Sequence, residues 1–118
     1  MVKTMKTKTF GQTLKEIRRS KGVTQRQLAA AVGVDFSYIS KVENDRMPPP
    51  AADTIVKICE KLGVPSDELL AMTGKMPTPV KEAISENPAA QQFLREAQTM
   101  TLTEDEWGTL TQQLKKLR

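Results

Sequence analysis

Phe36, Ser37, Ser40 and Lys41 bring an aromatic ring, two hydroxyls and a cation together at helical spacing. On a helix they occupy the side away from Ile39 and Val42. Their chemistry is recognition rather than bond-making. Lys41 can donate to guanine O6 and N7, and the two serines can hydrogen-bond permissively. Phe36 can pack on a thymine methyl or, alternatively, shield Ile39 as part of the core. The means of catalysis are missing. The sequence holds no histidine, which rules out Ser-His-Asp and Cys-His nucleophile systems and His-based zinc sites. There is no Gly-rich phosphate loop, and the carboxylates are scattered or sit at helix caps. The expectation is a binding protein with no enzyme activity, metal or cofactor.

Several neighbouring residues suit a phosphate backbone. Gln25 opens the preceding helix, where free backbone N–H groups and a side-chain amide can hold a phosphate. Thr24, Arg26 and Arg46 fit backbone contacts, or else serve as an ordinary cap and solvated charges. Tyr38 can rest its ring beside the second helix while its hydroxyl reaches a phosphate. Residues 1–8, with Lys3, Lys6 and Lys8, read as a flexible basic arm. Charge is divided accordingly. Residues 1–50 carry ten Lys/Arg against four Asp/Glu, a net +6, and residues 51–118 carry eight against ten, a net −2. The front half therefore suits a polyanion.

Short helices must position these groups, and no convincing strand is present. Thr9 and Gln12 form a capping box before Phe10, Leu14 and Ile17, with Gly22 as the stop. Thr24 and Gln27 form a second box before Leu28, Ala29 and Val32, ended by Gly33. Asp35 is the expected N-cap of a third helix that turns Ile39 and Val42 inward. Met47 and the three prolines after it make a stiff connection. A fourth helix carries Ile55, Ile58, Cys59 and Leu62, and a fifth spans Pro65 to Thr73 with Leu69, Leu70 and Met72 as its apolar residues. Cys59 reads as a small buried hydrophobe. Lacking a disulfide partner, it suggests a reducing, cytoplasmic setting. No apolar run is long enough for a membrane span, and the N-terminus lacks the apolar core of a secretory signal.

The segment from Gln25 to Val42 has the spacing of a helix-turn-helix. Ala29 is small where two helices touch, and Gly33 tolerates positive φ in the turn. Ile39 and Val42 seat the second helix. The stretches Thr24-Gln25-Arg26-Gln27-Leu28-Ala29, Val32-Gly33-Val34 and Ser37 to Asn44 resemble the XRE family, the phage Cro/repressor class of helix-turn-helix proteins. The likeness covers about residues 9–74. It implies an all-α fold, a five-helix lambda-repressor-like DNA-binding domain whose third helix lies in the major groove. Phe36, Ser37, Ser40 and Lys41 would face base edges, and Gln25 would be the phosphate-clamping glutamine. The resemblance also implies a partly buried ion pair, Arg18 with Glu43, that orients the recognition helix. Two departures stand out: Asp45 replaces the usual glycine after the third helix, and the Pro48-Pro49-Pro50 loop is longer and stiffer than in the shortest members.

Residues 75–79 read as a linker, and residues 80–118 as a short helical extension. A brief helix is expected over 80–86. Asn87 and Pro88 then start a helix with Ala90, Phe93, Leu94 and Ala97 on one face. Thr103 and Glu106 cap the last helix, whose Trp107, Leu110, Leu114 and Leu117 form a narrow apolar stripe suited to dimerisation or to packing within the chain. The whole suggests a regulator that binds double-stranded DNA, expected as a homodimeric repressor on a palindromic operator. Two alternatives remain: an antitoxin-like autoregulator whose tail binds a partner protein, and a protein-interaction adaptor that does not bind DNA.

Overall fold

A computed structural model describes residues 8–118. Lys3 and Lys6 of the expected basic arm lie outside the described residues. Among the described residues the elements are helices only, in the order α1 (Phe10–Ser20), α2 (Gln25–Val32), α3 (Phe36–Glu43), α4 (Ala52–Leu62), α5 (Asp67–Thr73), α6 (Thr78–Ser85), α7 (Pro88–Met100) and α8 (Glu104–Lys115). None is long and apolar enough to cross a membrane. The chain divides into two compact units, residues up to Thr78 and residues Pro79–Arg118.

Local chemistry accounts for most helix starts. The Thr9 hydroxyl accepts from Gln12 N while the Gln12 side chain accepts from Thr9 N, and Thr24 with Gln27 repeats the arrangement. Each reciprocal pair satisfies two backbone donors that the first turn leaves open. Asp35 stands at the N-cap of α3 but makes no side-chain cap hydrogen bond. In the α2–α3 turn Gly33 adopts φ +84°, and both Gly33 N and Val34 N donate to Ala29 O, at 2.9 and 3.0 Å. A side chain there would strain a backbone that glycine enters freely.

In the first unit the core gathers on the inner faces of α1 to α5. Leu14, Leu28, Ile39, Ile55 and Ile58 have no exposed surface, and Ala29 is buried where α2 meets its neighbours. Full burial of such a side chain contributes about 1.5–3 kcal/mol. Cys59 lies in the same core; burial, then the Asp67 charge, pushes its thiol pKa up. Met72, expected among the apolar residues of α5, is 42% exposed instead. That helix starts at Asp67 rather than Pro65 and presents Leu69 and Leu70 to the core, leaving Met72 on the outer side.

Two closures set the third helix. Gly11 lies where α1 crosses its end: a Cβ on Gly11 would meet Val42 O at 2.3 Å and Glu43 O at 2.7 Å. Only a bare backbone allows that approach. Asp45, just beyond the helix, takes φ +61°, and its Oδ2 accepts from Thr9 Oγ1 at 2.9 Å. The aspartate in place of glycine therefore enters the left-handed region but gains a hydrogen bond that glycine lacks.

Residues 75–79 are not a free tether. Lys75 Nζ donates to the carbonyls of Pro49 and Pro50, at 3.3 and 3.0 Å. The Asp53 carboxylate accepts from both Thr78 N and Thr78 Oγ1, at 2.9 and 2.7 Å, and α6 already begins at Thr78. In the second unit Asn87 caps α7 through its side chain, and Thr103 with Glu106 boxes the start of α8. Its buried hydrophobic residue is Ala97, while Phe93, Met100, Leu114 and Leu117 are more than half exposed.

Candidate nucleic-acid interface

The outer side of α3 is built by fixing the inner one. Ile39 and Val42 enter the core, as does the Glu43 side chain, which is 2% exposed overall. Arg18, from α1, meets this carboxylate with both prongs: Nε donates to Oε2 at 2.5 Å and Nη2 to Oε1 at 2.9 Å. Its Nη1 donates to Val23 O at 2.8 Å in the loop before α2. Gln25 adds Nε2 to Glu43 Oε1 at 2.9 Å. One carboxylate thus ties the first helix, the first residue of the second and the last residue of the third. No buried side-chain nitrogen or oxygen lacks a partner among the described residues, which is what a buried ionic group requires.

With that side fixed, Phe36, Ser37 and Lys41 stand exposed and Ser40 half-exposed. Phe36 is 37% exposed and outside the core cluster, so it does not serve as a shield for Ile39. The Lys41 ammonium makes no ion pair or hydrogen bond among the described residues, leaving its three donors to solvent or a ligand. Asn44, which sequence reasoning did not select, donates from Nδ2 to Ser40 O at 2.9 Å and lies on the same side. Tyr38 is half-buried with its ring against the core.

A cleft runs beside this surface, lined by Lys15 and Arg19 of α1, Gln25 and Arg26 of α2 with its N-cap Thr24, and Phe36 and Ser40 of α3 with its C-cap Asn44. No carboxylate is among its lining residues, and Glu43, hydrogen-bonded to Gln25, is neutralised by Arg18. Arg26 stacks its guanidinium over the Phe36 ring, 4.3 Å from the centroid, a cation–π contact. Lys15 and Arg19 are additions to the sequence-derived set. Their four-residue spacing on α1 is the signal that placed them on one face, but nothing local says that α1 presents that face to the cleft. Arg46, exposed after the end of α3, does not line it. The described residues contain no cluster of His, Cys, Asp or Glu able to hold a metal.

The second unit is described by itself. Trp107, Leu114 and Leu117 line an apolar groove of the second unit with Phe93, and Leu110 lines it together with a second groove that includes Ala97 and Leu102.

A helix-turn-helix family model matches residues 14–69, the stretch holding the ion pair, the turn and the exposed helix. The chain is 39% identical over 77 residues to the HTH-type transcriptional regulator RghRB of Bacillus subtilis (strain 168), covering 63% of this chain and 55% of that protein. It therefore spans about half the length of that relative. To the HTH-type transcriptional regulator y4dJ of Sinorhizobium fredii (strain NBRC 101917 / NGR234) it is 33% identical over 70 residues, 59% of this chain and 90% of that one. A chain of the SinR protein/SinI protein complex covers 93% of this chain and 100% of itself at 23% identity and TM-score 0.50, a likeness in fold. With the motif, the all-helical fold and a relative matched over nearly its full length, the chain belongs to the XRE family of helix-turn-helix transcriptional regulators.

Proposed function

We propose that this protein is a cytoplasmic, sequence-specific double-stranded-DNA-binding regulator, a homodimeric repressor that acts by occupying a palindromic operator. One observation carries the reading. The inner side of α3 is held by a three-residue network while Ser37 and Lys41 project with donors that no protein group takes. In this reading α3 enters the major groove. Ser37, Ser40, Lys41 and Phe36 meet base edges, and Thr24, Gln25, Tyr38 and Arg46 contact phosphates. Lys15 and Arg19 extend the basic cleft along the backbone. Gln25 joins these two layers: with one N–H on Glu43, its second N–H and its backbone amide are available to a phosphate.

The dimer would form through the second unit. A unit of about 40 residues with Leu114 and Leu117 largely uncovered and Trp107 partly so cannot bury enough apolar surface by itself. Charge favours a second copy as the cover. The first turn of α8 holds Glu104, Asp105 and Glu106, whereas Lys115, Lys116 and Arg118 lie at its end. Two copies paired antiparallel about a twofold axis would oppose unlike charges. Two half-sites about 34 Å apart would then be read together.

Binding-site selection from randomised duplexes with the full chain, followed by light scattering with and without the selected duplex, tests the reading. The expected result is an inverted repeat bound by two chains. Failure to retain any duplex at low salt would sink it. A monomer that still binds would remove the dimer and favour a partner protein on the exposed apolar face.

A further inference from the structure

We propose that Arg26, which looks from sequence like a backbone contact, is a specificity-determining residue that reads a guanine next to a thymine, with the Phe36 ring as its platform. The inference deepens the DNA-reading role proposed above and rests on it. Three observations lead there. Arg26 is the second residue of α2 and Phe36 the first of α3, so the stack bridges the N-terminal ends of the two helices, and both residues are exposed. The guanidinium lies 4.3 Å from the ring centroid, and no carboxylate or carbonyl among the described residues accepts from it. Its donors are therefore held in one plane and left without a protein acceptor. Phe36 keeps 37% of its surface exposed, an apolar remainder on the same side as Lys41 and Ser37.

A phosphate also takes the arginine fork, but its tetrahedral oxygens accept it from many directions and need no fixed plane. Phosphate-directed groups are already supplied in this cleft by Lys15, Arg19 and the N-terminus of α2. A guanine, by contrast, presents O6 and N7 side by side at the major-groove edge and takes a planar fork lying in the base plane. A ring beneath the fork limits its rotation and keeps water off one side. The thymine C5-methyl is the one apolar group at the major-groove edge, and the free part of the Phe36 ring is the surface that would receive it.

Binding-site selection with wild type, Arg26→Lys and Phe36→Leu tests this, with circular dichroism to show that all three keep their helices. Wild type should select a guanine beside a thymine at one position of each half-site. Both variants should lose that preference, by roughly ten- to a hundredfold, and keep the others. Replacing that guanine with 7-deazaguanine should weaken wild type and leave Arg26→Lys unchanged. If Arg26→Lys weakens every duplex by one factor with its preferences intact, Arg26 is a backbone contact and the proposal falls. It falls equally if Phe36→Leu retains the guanine preference. Failure of wild type to select any duplex would instead overturn the underlying DNA-binding reading.

Discussion

Arg18 grips Glu43 with two nitrogens, at 2.5 and 2.9 Å, in a site where the glutamate side chain has 0% exposure. Removing one charge leaves the other buried without its partner. Glu43→Ala should therefore lower unfolding free energy by about 3–5 kcal/mol in urea titration. The double variant Arg18→Met/Glu43→Leu should recover much of that loss, because neither charge then remains. Equal losses in the single and double variants would mean that the unpaired charge is not the source of the penalty.

Gly11 tests the closeness of α1 and α3. Gly11→Ala places a methyl 2.3 Å from Val42 O and 2.7 Å from Glu43 O, both backbone atoms that cannot rotate away. Although alanine favours a helix by up to about 1 kcal/mol, the clash should win and destabilise by about 1–3 kcal/mol. Thermal melting reads the sign directly, and a melting point at or above wild type would show that α1 can shift at no cost.

Lys41 and Gln25 should behave differently. Lys41→Ala is expected to cost roughly 1–3 kcal/mol on the selected duplex and to relax preference at one base position without changing stability. Gln25→Ala should weaken all duplexes alike and also lower the melting point, since Glu43 loses a donor at 2.9 Å. Fluorescence anisotropy beside a melt separates the two patterns.

On the second unit, Leu114→Glu/Leu117→Glu changes side chains that are 64% and 75% exposed. Folding of the first unit should be untouched. Light scattering should fall from twice the chain mass to once, and operator affinity should drop with it. An unchanged mass would exclude α8 as the contact.

Cys59 carries a pH signature. Burial raises its thiol pKa in the folded chain, with the Asp67 charge adding to it. Above the unfolded thiol's pKa the denatured chain sheds a proton that the native chain retains, so this contribution to stability is present at neutral pH and is lost as pH rises. Between neutral pH and pH near 10, wild type should lose more unfolding free energy than Cys59→Ala, measured under reducing conditions. Identical slopes would count against a buried thiol.

What the sequence made legible was mostly local. Thr9 with Gln12, Thr24 with Gln27, Asn87 with Pro88 and Thr103 with Glu106 each declare a helix start within four residues, and all four appear as side-chain caps. Gly33 announced its turn for the same reason. The long-range closures were silent. Gly11 looks like any helix residue until α3 arrives against it. Gln25 looked free for phosphate, yet its amide is shared with a glutamate eighteen positions away. The stack of Arg26 on Phe36 depends on the angle between two helices, which no spacing rule encodes. Lys75 to Pro79 had the composition of a linker, but Lys75 and Thr78 found acceptors on the proline loop and on Asp53.

The Thr9–Asp45 hydrogen bond couples an N-cap to a helix exit. It roots the start of α1 beside the end of α3, so the footing of the exposed helix reaches back to residue 9. Losing that threonine would loosen the grip of one helix on the other, not merely fray an end.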